Sequence, residues 1–165
     1  MTIRDEAPGD VAAIARVITD AFATMAYSDH TEARIVDGLR RAGALTVSLV
    51  AEEVGEVIGH VAFSPVTIDG HDMGWFGLGP VSVRPDRQGE GVGQVLVRSG
   101  LERISALGAR GSVVFGHPDY YPRFGYGVDP RLTYPGGPAA YFMILTFTGE
   151  TPSGVVRYHS SYGAW

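Results

Sequence analysis

Cysteine is missing from all 165 residues, and that absence removes a branch of chemistry. Disulfides, thiol nucleophiles, acyl-cysteine intermediates and thiolate metal sites are all excluded, and the chain suits a reducing compartment. A basic excess is missing as well. With 13 basic and 18 acidic residues the formal net charge is −5, the opposite of the cationic surface that nucleic acid demands. The opening Met1-Thr2-Ile3-Arg4-Asp5-Glu6 has no apolar stretch of the export-signal kind, and no apolar run approaches bilayer-spanning length. The expectation is a cytoplasmic protein without nucleic-acid or membrane partners. Repeats, low-complexity tracts and linkers are also missing. Tyr134-Pro135-Gly136-Gly137-Pro138 is an internal loop, because strand residues resume after it. The length, with 45% apolar and 19% charged residues, fits one domain over residues 1–165 with a full hydrophobic core.

What is present is a period that changes along the chain. Ile3-Arg4 reads as a short strand. Asp10 stands where it can cap a helix with Val11, Ile14, Ala15, Val17, Ile18 and Phe22 on one face. Thr31-Glu32 opens a second helix carrying Ile35, Val36 and Leu39, with Gly43 beyond its end. Strands follow at 45–52, 57–68 and 73–83, joined by turns at Glu53-Val54-Gly55-Glu56 and Asp69-Gly70. A helix to about Leu107 comes next, then strands at 112–115, 141–147 and 155–158. This order predicts a mixed α/β sheet rather than an alternating doubly wound one.

The densest signal is Arg87-Gln88-Gly89-Glu90-Gly91-Val92-Gly93-Gln94, between a strand and a helix. Glycine there removes the Cβ atoms that would keep a ligand from the backbone N–H groups. The helix start adds unpaired donors and a positive dipole end, which together favour phosphate. Arg84, Arg87 and Arg98 flank it as a local basic cluster. A Walker loop would need Gly-Lys-Ser/Thr at the helix start; Val92-Gly93-Gln94 offers neither lysine nor hydroxyl. A dinucleotide fingerprint fails on spacing, since glycines 89, 91 and 93 leave the last gap one residue short.

The pattern that fits is Gln/Arg-x-x-Gly-x-Gly/Ala, filled by Gln88 to Gly93. With it the chain resembles the GNAT superfamily of N-acetyltransferases. Leu78-Gly79-Pro80-Val81-Ser82-Val83-Arg84-Pro85 is similar to that family's fourth strand, and the element order agrees along nearly the whole chain. Gly59-His60-Val61-Ala62-Phe63-Ser64-Pro65-Val66 and the stretch from Gly116 to Tyr126 resemble the YhbS-like subgroup. The resemblance implies the acyl-CoA N-acyltransferase fold: a central, mostly antiparallel mixed sheet flanked by helices and splayed between its fourth and fifth strands. It implies acetyl-CoA as acyl donor, with the pyrophosphate on Gln88, Gly89, Glu90, Gly91, Val92, Gly93 and Gln94. The pantetheine arm would pair with Val81, Ser82 and Val83. Gly79-Pro80 reads as a bulge, since proline cannot donate to a ladder.

The implied reaction is acetyl transfer to a primary amine by direct attack in a ternary complex. Tyr121, four residues before Gly125-Tyr126, takes the position of the family's general acid, and an ordinary tyrosine pKa of about 10 keeps it protonated. Tyr120 is the neighbouring alternative. The family's fourth-strand glutamate has no counterpart in Trp75-Phe76-Gly77-Leu78. His117 is therefore the candidate base, and its competing reading is a turn histidine before Pro118. His60 could line the acceptor side or be a satisfied sheet histidine. No histidine–carboxylate spacing suggests a metal, and none is expected. The rival readings are a catalytically silent acyl-CoA-binding module and a transferase for a longer acyl group. The acceptor is an amine-bearing small molecule or peptide. Pairing through the late strands, or through exposed aromatics such as Tyr162 and Trp165, would give a homodimer.

Overall fold

The computed structural model describes residues 1–26 and 28–163. Strand β1 (Thr2–Asp5) leads into helix α1 (Val11–Phe22), whose inner face buries Ile14, Val17, Ile18 and Ala21. Helix α2 (Glu32–Arg41) follows, with Glu32 in its first turn and Arg40 and Arg41 in its last, each favourable to the helix dipole. Three antiparallel strands come next: β2 (Val47–Glu53), β3 (Glu56–Ile68) and β4 (His71–Val83). Their tight turns put Val54 and Gly55, then Asp69 and Gly70, at positive φ, as two-residue hairpin loops require. Helix α3 (Val92–Ala106) crosses to β5 (Gly111–Phe115), and β6 (Leu132–Thr133), β7 (Phe142–Thr146) and β8 (Gly154–Arg157) complete the chain.

The sheet order is β1-β2-β3-β4-β5-β7, antiparallel except where β4 meets β5. Alternation along β3 serves two layers. Val61 and Phe63 face α3, packed with Leu49, Leu96, Val97 and Ile104, while Ala62 faces α1 and α2 beside Ile14, Ile18, Val36 and Val50. Both faces are covered, which is why β3 reads as an almost unbroken apolar run. α3 lies close to the sheet because a Cβ at Gly100 would overlap the Phe63 ring. β3 outreaches β2, and its last residues pair instead with β8, Thr67 opposite Arg157 and Ile68 opposite Val156.

Several expectations need correction. Asp10 precedes α1 but makes no side-chain cap. Its carboxylate accepts the Ala7 N–H at 2.6 Å and both Arg4 Nη groups at 2.7 and 3.1 Å. With Asp10 itself already near helical (φ −89°, ψ −11°), the side chain is turned back toward β1 rather than forward onto the first helical turn. β6 is an additional strand, since two residues carry no periodicity in the sequence; it pairs in parallel with β8. Tyr162 is not exposed: it packs against the cluster of Trp75, Val113, Val156 and Tyr158. Trp165 lies outside the described residues.

Candidate active site

The expected bulge and splay are both present in β4. Val61 pairs with Val81, and Phe63 with Leu78, so three residues of β4 span two of β3. Gly79, at φ +144°, turns the strand there, and its carbonyl accepts the Tyr162 hydroxyl at 2.8 Å. β4 pairs with β5 only through Trp75, Phe76 and Gly77. Beyond them the edge of β4 that faces away from β3 has no strand partner among the described residues, and the two strands part. Val81 and Val83 project toward α3 and the core beneath it, while the buried Ser82 lies across from His60 on the other face.

Where β4 ends, a short helical turn at Pro85–Arg87 delivers the chain to the glycine loop. Gly89 and Gly91 stand at φ +80° and +86°, and a Cβ on either would meet nothing within 4 Å. The space over the loop is open. Gly91 is the residue before α3, has no side-chain cap, and its carbonyl takes the first intrahelical bond from Val95 N–H at 3.2 Å. The N–H groups ahead of Val95 are therefore without intrahelical partners, which is the arrangement an anion requires. Gln88 is used locally: its side-chain amide donates to Val83 O at 3.0 Å and ties the loop to β4.

The flanking arginines divide into two pairs. Arg84 is held by Asp86 and Glu56, and Arg87 by Glu53 and Glu90. These carboxylates raise both guanidinium pKa values, and the pairing fixes the loop rather than leaving cations beside it. Arg98 instead stacks over Phe124 at 5.0 Å, and Arg123 over Tyr120 at 4.4 Å. A cleft of about 290 Å³ is lined by Val83, residues of the loop, Tyr120 and Arg123. The Tyr120 hydroxyl would lie 3.2 Å from a Cβ on Gly93. Burial raises its pKa, opposed by Arg123 and Arg98.

The two adjacent tyrosines thus point to different places. Tyr120 faces the glycine loop. Tyr121 opens the short turn Tyr121–Phe124, and its ring lies over Gly116 at the end of β5, 6.0 Å from the Tyr126 ring. Tyr126 is buried, shares a 2.7 Å hydrogen bond with Ser112, and burial pushes its pKa up. His117 is exposed, and its Nδ1 accepts the Asp119 N–H at 3.2 Å. His60 lies within the sheet instead of on the cleft. Its Nε2 lies 2.8 Å from Ser48 Oγ, whose hydroxyl donates to Glu6, so Nε2 carries the proton. Among the described residues no cluster of His, Asp or Glu is arranged for a metal. No local signal in the sequence marks the Tyr120 and Arg123 lining, which needs their turn to meet the glycine loop, or the Tyr162 brace, which needs the turn Ser160–Tyr162 to meet the bulge.

A bulged, half-unpaired strand running into an open glycine loop on this sheet defines an acetyltransferase of the GNAT class. The chain belongs to that family: the model for the acetyltransferase (GNAT) domain matches residues 2–128. One similar protein is the uncharacterized N-acetyltransferase YhbS of Escherichia coli K12, 36% identical over 170 residues and 98% of both chains. The crystal structure of a GNAT family acetyltransferase from Brucella melitensis in complex with acetyl-CoA matches with a TM-score of 0.89 at 50% identity, over 98% of this chain and 97% of that one. E. coli YhbS in complex with CoA matches at TM-score 0.89 and 32% identity, over 98% and 91% of the two chains. The resemblance to the YhbS-like subgroup is borne out over the chain as a whole.

Proposed function

We propose that the protein transfers the acetyl group of acetyl-CoA directly to a primary amine of a small molecule or peptide, within a ternary complex. The carrying observation is continuity: the open glycine loop begins where the unpaired edge of β4 ends. Backbone N–H groups from Gly89 to Gln94 take the pyrophosphate, with Gln88 bracing the loop. Val81, Ser82 and Val83 pair with the pantetheine arm as an added strand would, bringing the thioester toward the bulge. The 50% identical Brucella melitensis protein, in complex with acetyl-CoA, supports this choice of donor.

The amine nitrogen attacks the carbonyl carbon, and a β4 N–H near Val81 stabilises the oxyanion. The C–S bond then breaks, Tyr121 gives its proton to the departing thiolate, and the nitrogen loses a proton to His117 or to water. Thiol release from acetyl-CoA over a panel of amines tests the reading. Tyr121→Phe should lower kcat by roughly 100-fold while coenzyme affinity by calorimetry stays unchanged. An undiminished kcat would remove Tyr121 from the reaction, and coenzyme binding with no turnover on any amine would remove transfer itself. His117→Gln should lower kcat at neutral pH; an unchanged kcat would leave the proton to water.

A further inference from the structure

We infer that Arg123 is a phosphate contact of the coenzyme, a cationic clamp across the cleft from the glycine loop. Lysine does not occur in the sequence, so every side chain able to bring a permanent positive charge to a phosphate is one of the 13 arginines. Near the loop, Arg84 and Arg87 are already paired with carboxylates, Arg84 with Asp86 at 2.6 Å and Arg87 with Glu53 at 3.0 Å. Those pairings leave the loop with little cationic charge of its own. A helix terminus supplies only about half a charge, against a pyrophosphate and a ribose phosphate on the ligand.

Arg123 has what the loop lacks. It lines the same cleft as Gly89, Gly91, Gly93 and Gln94. Among the described residues it has no carboxylate partner. Its Nε–H donates to Tyr120 O at 2.7 Å, and its guanidinium plane lies over the Tyr120 ring at 4.4 Å. Both restraints act on the Nε edge and the flat face. Among the described residues the two Nη groups have no hydrogen-bond acceptor, and that is the fork that binds phosphate oxygens in parallel. A guanidinium held in place before the ligand arrives also loses less rotamer freedom on binding. Arg98 is the nearest comparison. Its Nη2–H reaches Arg123 O at 3.4 Å and it stacks on Phe124, but it does not line the cleft.

The clamp presupposes the coenzyme reading given above, and calorimetry with CoA separates the two. Absence of CoA binding to the wild type would count against that reading, and with it the clamp. If the wild type binds, Arg123→Met should weaken CoA by roughly tenfold or more, the loss of one charge-assisted contact. The salt dependence should become shallower, and Arg123→Lys should recover part of the affinity. Dephospho-CoA, which lacks the ribose phosphate, identifies the phosphate. An equal loss for both ligands puts Arg123 on the pyrophosphate; a loss confined to CoA puts it on the ribose phosphate. Circular dichroism checks that the Tyr120 turn survives. Affinities within twofold of wild type for both ligands would overturn the clamp. So would an equal loss from Arg98→Met, which would mark distant charge rather than contact.

Discussion

His60 shows how a residue type can promise one role and perform another. On sequence it alternates with Ala62 and Ser64 and can be drawn facing a ligand. In the fold it is fully buried between β2 and β4, bonded to Ser48 and answered through it by Glu6 and Arg40. Burial pushes its pKa down to about 4, with Glu6 opposing and Arg40 assisting. The unfolded chain takes up this proton near pH 6.5, whereas the native state does so only near pH 4. Stability therefore falls as the pH drops through that window, by up to about 1.4 kcal/mol per unit. Glu6 acts in the same direction. Burial opposes its charge, but bonds from Arg40 and Ser48 hold its pKa below the ordinary value, so its stabilisation is lost in acid. Urea unfolding should show wild type losing about 2 kcal/mol between pH 7.5 and 5 beyond any loss in His60→Gln. Equal losses in the two proteins would mean that His60 takes its proton without leaving the fold.

At the scale of elements, the glycine loop and α3 carry the strongest local instructions, and they were the most legible part of the chain. Gly91 sits at φ +86° in open space, so its replacement is constrained by the backbone and not by crowding. Gly91→Val should strain that conformation by about 1–2 kcal/mol and swing the neighbouring N–H groups. Coenzyme affinity should drop at least tenfold while far-ultraviolet circular dichroism stays native; unchanged affinity would detach the loop from phosphate binding. The bulge was equally legible, because Gly79-Pro80 interrupts a ladder wherever it lies. Asp10 was misread for the converse reason. A capping residue type was visible, but its capture by Arg4 across a loop was not. β6, the Tyr162 hydrogen bond and the Tyr120–Arg123 wall of the cleft arise only when segments far apart in sequence are packed together. No local period encodes them.

The whole molecule is a sheet opened in its middle. β4 and β5 hold together at one end and part at the other, so the fold carries its own vacant strand position. A ligand that fills it should stabilise the native state by mass action. Acetyl-CoA at 100 times its Kd should add about 2.7 kcal/mol, which for a domain of this size raises Tm by roughly 5–10 °C. Differential scanning fluorimetry measures this directly, and a Tm that ignores acetyl-CoA would speak against binding in the splay. Hydrogen exchange should slow along the β4 side of the gap, at Val81 to Val83, and along the loop that follows it.

The Tyr162 hydrogen bond gives the order of synthesis a meaning. The stretch that matches the family ends at residue 128, with the glycine loop and all the partners of β4 in the first five strands already made. Yet the carbonyl of Gly79 waits for a hydroxyl 83 residues downstream. A growing chain can lay down β4 early, but its bend is braced only after Tyr162 has left the ribosome. The bend of β4 is thus completed by a segment made well after the strand itself.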